Sequence, residues 1–284
     1  MFKLNQWNII IGSLLALLMV TGCASAAAES APSEVTAPKT PRIVLKVSGS
    51  GSATAVLSAI QPAFEADTPE YRLEVLSGTG TGGGVKGIVK GVLDVAAMAR
   101  PPKDSEADQN VEYAEFGQAG QAIIAHPDTD VSNLTSAQVA AIFSGEITNW
   151  SEIGGPDRPL ILYVRDDADS STQALRSTIM GDTPFSGSVA QVLTSQGDML
   201  AAISGTPDSV GIATWPTTLA KGAKVQAFTI DGVAPGDSDY PMVGPLGIGY
   251  LTERQSDMQP LIDWLHSEQG RAALSEFDMI VAAQ

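Results

Sequence analysis

Residues 77–86 read SGTGTGGGVK, and the character of this stretch decides the fold. It follows a strand-like run, RLEVL at 72–76, and leads into a helix-like run at 85–90. Glycine lets backbone approach backbone or ligand closely and take positive φ. The first amides of a helix lack intrahelical partners and sit at the positive end of its dipole. A strand, a Gly/Thr loop and a helix start, in that order, therefore let uncharged chain hold an anion. Alone, the same loop is also an ordinary turn.

Upstream, residues 42–47 alternate as a strand and end in a second such loop, Ser48-Gly49-Ser50-Gly51-Ser52. Within 54–66, Val56, Leu57, Ile60 and Phe64 fall at helical spacing. A strand at 94–99 follows. This β-loop-α-β-loop-α-β order predicts a mostly parallel sheet covered by helices. Ligands of such sheets sit outside the carboxyl ends of the strands, so the two Gly-rich loops can face one pocket. Downstream, 121–126 reads as a buried strand stopped by Pro127. Thr135-Ser136-Ala137-Gln138 fits a capping box, with a helix to Phe143 and a stop at Gly145. A strand at 160–165 precedes Asp169-Ser170-Ser171-Thr172 and a helix over 173–180. A short helix at 199–203, strands at 210–214 and 244–251, and one amphipathic helix over 261–277 complete the pattern. No internal repeat of about 20 to 50 residues is present.

The N-terminus carries an address. Lys3 precedes an apolar run at 9–20 that is too short for a comfortable membrane span. Val20-Thr21-Gly22-Cys23 then resembles the lipobox of bacterial lipoproteins, in which the Cys thiol is acylated after cleavage. The alternative is an ordinary signal peptide with an incidental cysteine. Cys23 is the one cysteine of 284 residues, so no disulfide framework explains it. Residues 1–23 thus read as a signal ending at a lipidation site. Residues 24–41, rich in Ala, Ser, Glu and Pro, read as a flexible tether.

Sixteen basic against 32 acidic residues give a net charge of −16, which leaves no basic footprint for nucleic acid. That charge repels an anion at long range, but salt screens it beyond roughly 8 Å, so local dipoles must do the binding. Gly78, Gly80 and Gly83 satisfy G-x-G-x-x-G, yet the acidic residue expected at a later strand end is missing, since Asp94 stands at the start of its strand. The phosphate-loop pattern fails because Gly87 follows Lys86. His126 reads as a packing or hinge residue and His266 as a surface one. Metal clusters and His-dependent nucleophiles are therefore poorly supported, and no cofactor is expected. Asp166, Asp167 and Asp169 form an acidic knot whose spacing does not fit an EF-hand loop. Trp150 and Trp215 read as packing residues.

Several stretches together resemble the phosphate-binding proteins of bacterial ABC importers, within the type II periplasmic-binding-protein superfamily. They are Gly51-Ser52-Ala53-Thr54, the loop at 80–86, DVAAMARP at 94–101, VSNLT at 131–135, IFSGEITNWSEIGGPDRP at 142–159, and Arg165 with Ser170, Ser171 and Thr172. The similarity runs in order from about residue 43 to 280. It implies an α/β fold of two lobes with a hinged cleft, the crossovers falling near 121–126 and 242–251. Lobe 1 would comprise 42–123 and 245–284, and lobe 2 would comprise 124–244. The resemblance assigns ligand binding to Ser52, Thr54, Thr81 and the Gly82 amide from one lobe, and to Arg165, Ser170, Ser171 and Thr172 from the other. Arg100 is either a second ligand or a solvent-facing charge.

The implied protein is not an enzyme. It is a monomeric, lipid-anchored substrate-binding protein of the cell envelope that captures phosphate, or sulfate, molybdate or tungstate, for an ABC permease. A non-transport sensor or interaction module on the same fold is the alternative. Two departures bear on this. Ala99 and Arg100 stand where phosphate binders commonly carry an Asp or a Ser-Arg pair, and Asp169 adds a carboxylate, with one extra residue between Arg165 and the serines. Asp169 either N-caps the next helix or repels a bound dianion.

Overall fold

The computed structural model describes residues 42–281 except Ala168 and Ala190; Cys23 and the tether lie outside the described residues. The first half of the sequence forms β1 (Ile43–Gly49), α1 (Gly51–Asp67), β2 (Tyr71–Val75), α2 (Thr81–Val89), β3 (Val95–Met98), α3 (Asp104–Ala107), β4 (Val111–Ala125), β5 (Asn133–Leu134) and α4 (Ser136–Ser144). It continues with β6 (Ile161–Arg165), α5 (Ser170–Leu175), β7 (Gln191–Leu193), α6 (Gln196–Gly205), β8 (Ser209–Thr214), α7 (Trp215–Ala220), β9 (Gln226–Ala227), β10 (Thr229–Ile230), β11 (Val243–Leu251), α8 (Gln255–His266) and α9 (Glu268–Ser275).

One sheet runs in the order β2-β1-β3-β11-β4-β8-β6-β7, with β9 also on β4. It is parallel at both flanks, where β1 pairs with β2 and β3 and β6 pairs with β7 and β8. It is antiparallel around β4 and β11. β4 is the joint. Its residues 111–120 pair with β11, and residues 121–125 pair with β8. The sequence predicts a strand only from 121; the preceding ten residues escape that reading because Glu112 and Glu115, three positions apart, break the alternation of a half-buried strand.

Two main cores flank this joint. The first packs the α1 stripe (Val56, Leu57, Ile60, Phe64) on Leu45 and Val47 of β1 and on Leu261, Leu265 and Leu274 near the C-terminus. Phe64 meets Trp264 edge-on at 5.4 Å. The second gathers Ile123, Ile142, Phe143, Trp150, Leu162, Val164, Ile212 and Phe228 from the middle of the chain. The core residues thus fall into a part built from both ends of the described chain and a part built from its middle.

IFSGEITNW, the most family-like phrase of the sequence, is scaffold. Thr135 and Gln138 close the capping box of α4, and Gly145 ends the helix in the left-handed conformation at φ 84°. Asn149 then caps a 3₁₀ turn, Trp150–Ile153. This sets Trp150 in the core, stacked 6.1 Å from Phe228, with its indole N–H donating to the Asp208 carbonyl at 3.0 Å.

The single helix expected over 261–277 is two. Ser267 ends α8 and accepts from the Gly270 amide to cap α9. The helix expected over 173–180 begins earlier, at Ser170, and its second part, Arg176–Met180, is a π-helix.

Candidate functional site

The two Gly-rich loops lie side by side at the carboxyl ends of β1, β2 and β3. The amides of Thr79 and Gly80 both donate to the Gly49 carbonyl at 2.8 Å, and the Ser50 amide donates to the Ala97 carbonyl at 2.7 Å. Ser48 Oγ donates to the Ser77 carbonyl at 2.7 Å. Close approach explains the glycines. A Cβ at Gly84 would stand 2.7 Å from the Ser48 carbonyl oxygen, and one at Gly49 would strike the Ala97 carbonyl. α2 begins at Thr81 rather than at 85, despite three successive glycines. No side chain caps α2 at Gly80, so its opening amides, Gly82 included, remain donors.

The hydroxyls in this part are partly committed. Thr81 Oγ1 accepts from the Ala99 amide at 3.2 Å and keeps its own proton to donate. Thr54 Oγ1 donates back to the Ser50 carbonyl at 2.8 Å, a local helix bond. Arg100 is spoken for, its guanidinium forking onto Glu106 at 2.7 and 2.9 Å. Of its two expected roles, neither a free ligand nor a bare solvent-facing charge describes it. That fork, together with the Lys103 amide, holds the Glu106 carboxyl below its ordinary value of 4.5.

On the middle part, Arg165 ends β6 and is 8% exposed. Its Nη2 pairs with Asp169 Oδ2 at 2.8 Å and reaches the Thr194 carbonyl at 3.3 Å. Asp169 is the N-cap of α5; its Oδ1 accepts from the Ser171 amide at 3.0 Å, the Thr172 amide at 3.3 Å and the Ser171 hydroxyl. Arg165, Asp169, Ser171 and Thr172 thus form one cluster, with Ser170 opening the helix beside it. Two atoms of this cluster, Arg165 Nε and Thr172 Oγ1, are buried without a protein partner. Thr172 is 0% exposed. Asp167 is drawn away to Arg176 at 2.9 Å, and among the described residues no acidic or His/Cys group is arranged to hold a metal ion.

Ser52 joins the two parts. Its Oγ lies 2.9 Å from Thr214 Oγ1, and its carbonyl accepts from Thr217 Oγ1 at 3.2 Å. Thr214 Oγ1 donates to Gln121 Oε1 at 2.9 Å, and Gln196 Nε2 donates to the Thr214 carbonyl at 2.9 Å. Thr214 and Arg165 end the neighbouring parallel strands β8 and β6. The start of α1 therefore abuts the sheet edge from which Arg165 and α5 project, while α5 itself packs on both β4 and β11. Gln121, Gln196, Thr214 and Thr217 escape sequence reasoning, because their partners are remote in the chain and none sits in a motif. A separate cavity of about 450 Å³ lies between Trp215, Pro235 and Asp278, and no candidate residue lines it. His126 accepts from the Asp128 amide, and exposed His266 lies against the Ile262 and Glu115 carbonyls.

A family model described as a PBP superfamily domain matches residues 26–269. The phosphate-binding protein PstS of Bacillus subtilis is 26% identical over 208 residues, covering 70% of this chain and 67% of that protein. PstS of Borreliella burgdorferi is 26% identical over 138 residues, covering 46% of this chain and 50% of that protein. Among solved structures, a Clostridium perfringens protein crystallised with bound phosphate superposes with a TM-score of 0.73 at 24% identity, covering 85% of this chain and all of that one. An ABC-type phosphate transport receptor from Vibrio cholerae gives 0.60 at 23%, covering 84% and 100%. At these identities the superpositions speak for the fold.

Proposed function

The chain belongs to the PBP superfamily, and from that premise we propose that it captures a small inorganic oxyanion, phosphate first, and delivers it to the permease of an ABC importer. It performs no chemistry on the anion. One observation carries the reading. Arg165 Nε and Thr172 Oγ1 are buried beside the same carboxylate with no protein partner, and a buried polar group normally has one. A tetrahedral oxyanion accepts several hydrogen bonds at once and would satisfy both. Relatives named for phosphate binding support the choice of anion.

In this account Thr54, Thr81 and the Gly82 amide approach the anion from lobe 1, residues 42–123 and 245–284, while Arg165, Ser170, Ser171 and Thr172 approach from lobe 2, residues 124–244. Ser52 bonds across the joint to Thr214 and Thr217. A ligand gripped by both lobes favours the closed arrangement by its differential affinity. The protein works as a monomer in the cell envelope, held to a membrane through acylated Cys23 and the tether. Among the described residues no helix is long and apolar enough to cross a membrane.

A non-transport sensor on the same fold is the second reading, favoured by the carboxylate of Asp169 at the arginine. A thermal-shift screen of phosphate, sulfate, molybdate, tungstate and phosphonates tests both. Stabilisation by phosphate at micromolar to millimolar concentration supports capture; indifference to every anion removes it.

A further inference from the structure

Asp169 occupies the donors that an incoming oxyanion needs. Its Oδ2 holds Arg165 Nη2 at 2.8 Å. Its Oδ1 takes the Ser171 amide, the Ser171 hydroxyl and the Thr172 amide. Arg165 and Asp169 are both largely withdrawn from water, at 8% and 14% side-chain exposure, so salt screens their mutual attraction poorly. The two formal charges cancel, leaving no net positive charge from this pair. Arg165 Nε and Thr172 Oγ1 stay unsatisfied, while Arg165 Nη2 is shared between Asp169 and the Thr194 carbonyl.

We infer that Asp169 is an internal competitor for the anion, a tethered carboxylate that occupies part of the lobe-2 half of the site until a ligand takes over its hydrogen bonds. The inference rests on the oxyanion reading above. Three consequences follow from the chemistry. An arriving anion must share or displace a group of its own charge, so affinity is held below what the same donors would give alone. Displacement needs no unfolding, because the Asp169 side chain keeps 14% of its surface exposed. The competitor is also local. Asp167, two positions away, is 75% exposed and paired with Arg176, and it plays no part.

The Asp169→Asn variant tests this. The carboxamide oxygen still caps α5, since Asn and Asp are about equal N-caps, but the charge that binds Arg165 is gone. Calorimetric titration with inorganic phosphate at fixed ionic strength is expected to show binding at least about tenfold tighter than in the parent protein, as charge-assisted bonds to Arg165 are released to the ligand. Asp169→Ser, a second uncharged cap, should move the same way. Asp167→Asn makes the same change in net charge at an exposed position and should shift affinity by less than about twofold.

Equal or weaker phosphate binding by both Asp169 variants overturns the inference while leaving the oxyanion reading intact. So does an Asp167→Asn effect as large as theirs, because it would indicate bulk charge rather than competition. If the parent and all variants bind none of phosphate, sulfate or molybdate, the oxyanion reading falls and the inference with it.

Discussion

Replacing Arg165 with Met separates what this residue does for the fold from what it does for a ligand. Met keeps most of the apolar stem and removes the guanidinium. Breaking a buried pair by deleting one partner costs about 3–5 kcal/mol. Here Asp169 keeps its bonds from the Ser171 and Thr172 amides at 3.0 and 3.3 Å and is 14% exposed. The expected loss is therefore about 2–3 kcal/mol. Asp169→Asn strands the guanidinium instead, but Arg165 retains the Thr194 carbonyl at 3.3 Å and the cap survives, so about 1–2 kcal/mol is expected. The double variant removes both charges together and should cost about 2 kcal/mol, less than the singles combined. Urea unfolding of the parent and the three variants in anion-free buffer gives these losses. Phosphate titration of the same proteins should show binding abolished in both variants lacking Arg165. Additivity of the two stability losses to within about 0.5 kcal/mol would mean that the pair is not coupled in solution and that the reasoning is wrong.

Other consequences are testable on the same protein. Trp150→Phe loses the indole bond to the Asp208 carbonyl while retaining an aromatic ring against Phe228; chemical denaturation should show a loss of about 1–2 kcal/mol, and Trp150→Ala about 3–5. Gly120→Ala drives a methyl into the Pro235 carbonyl oxygen at the joint between the two cores; overpacking of about 1–3 kcal/mol should appear in thermal melts. Arg100→Gln should cost less than about 1 kcal/mol, its pair with Glu106 being one-third exposed on the arginine side. Because the Arg100 fork lowers the Glu106 carboxyl below 4.5, the pair's contribution is present above that pH and is lost as pH falls through the lowered folded value. The melting difference between parent and Arg100→Gln should therefore shrink in acid, and a difference that grows there would contradict the assignment.

The alternation at 42–47, the α1 stripe and the two Gly-rich loops were legible because their signals are local. Gly84 illustrates what was not. Three glycines argue against a helix before 85, yet α2 starts at Thr81, and at Gly84 it packs so close to the Ser48 carbonyl that a side chain would not fit. The length of β4 was hidden for a similar reason: its polar first half is stabilised by ladder bonds to β11 from the other end of the chain. Ser267 split the last helix through a cap that an apolar stripe does not reveal. In the site, Asp169 takes one of its two expected roles, the N-cap of α5, and also pairs with Arg165, a contact that the local sequence does not announce. Glu106 could not be foreseen as the partner of Arg100, since five exposed or half-exposed residues intervene and no motif joins them. The buried chain from Ser52 through Thr214 to Gln121 is made of residues that only tertiary folding brings together.

Two halves of one sheet are proposed to grip a single small anion between them, and a crystal structure grown with phosphate puts this to the test. One phosphate is expected, its oxygens meeting Arg165 and Ser171 or Thr172 on one side and Thr81 or the Gly82 amide on the other. A phosphate held by one half alone, or a site with no anion at saturating phosphate, would contradict it.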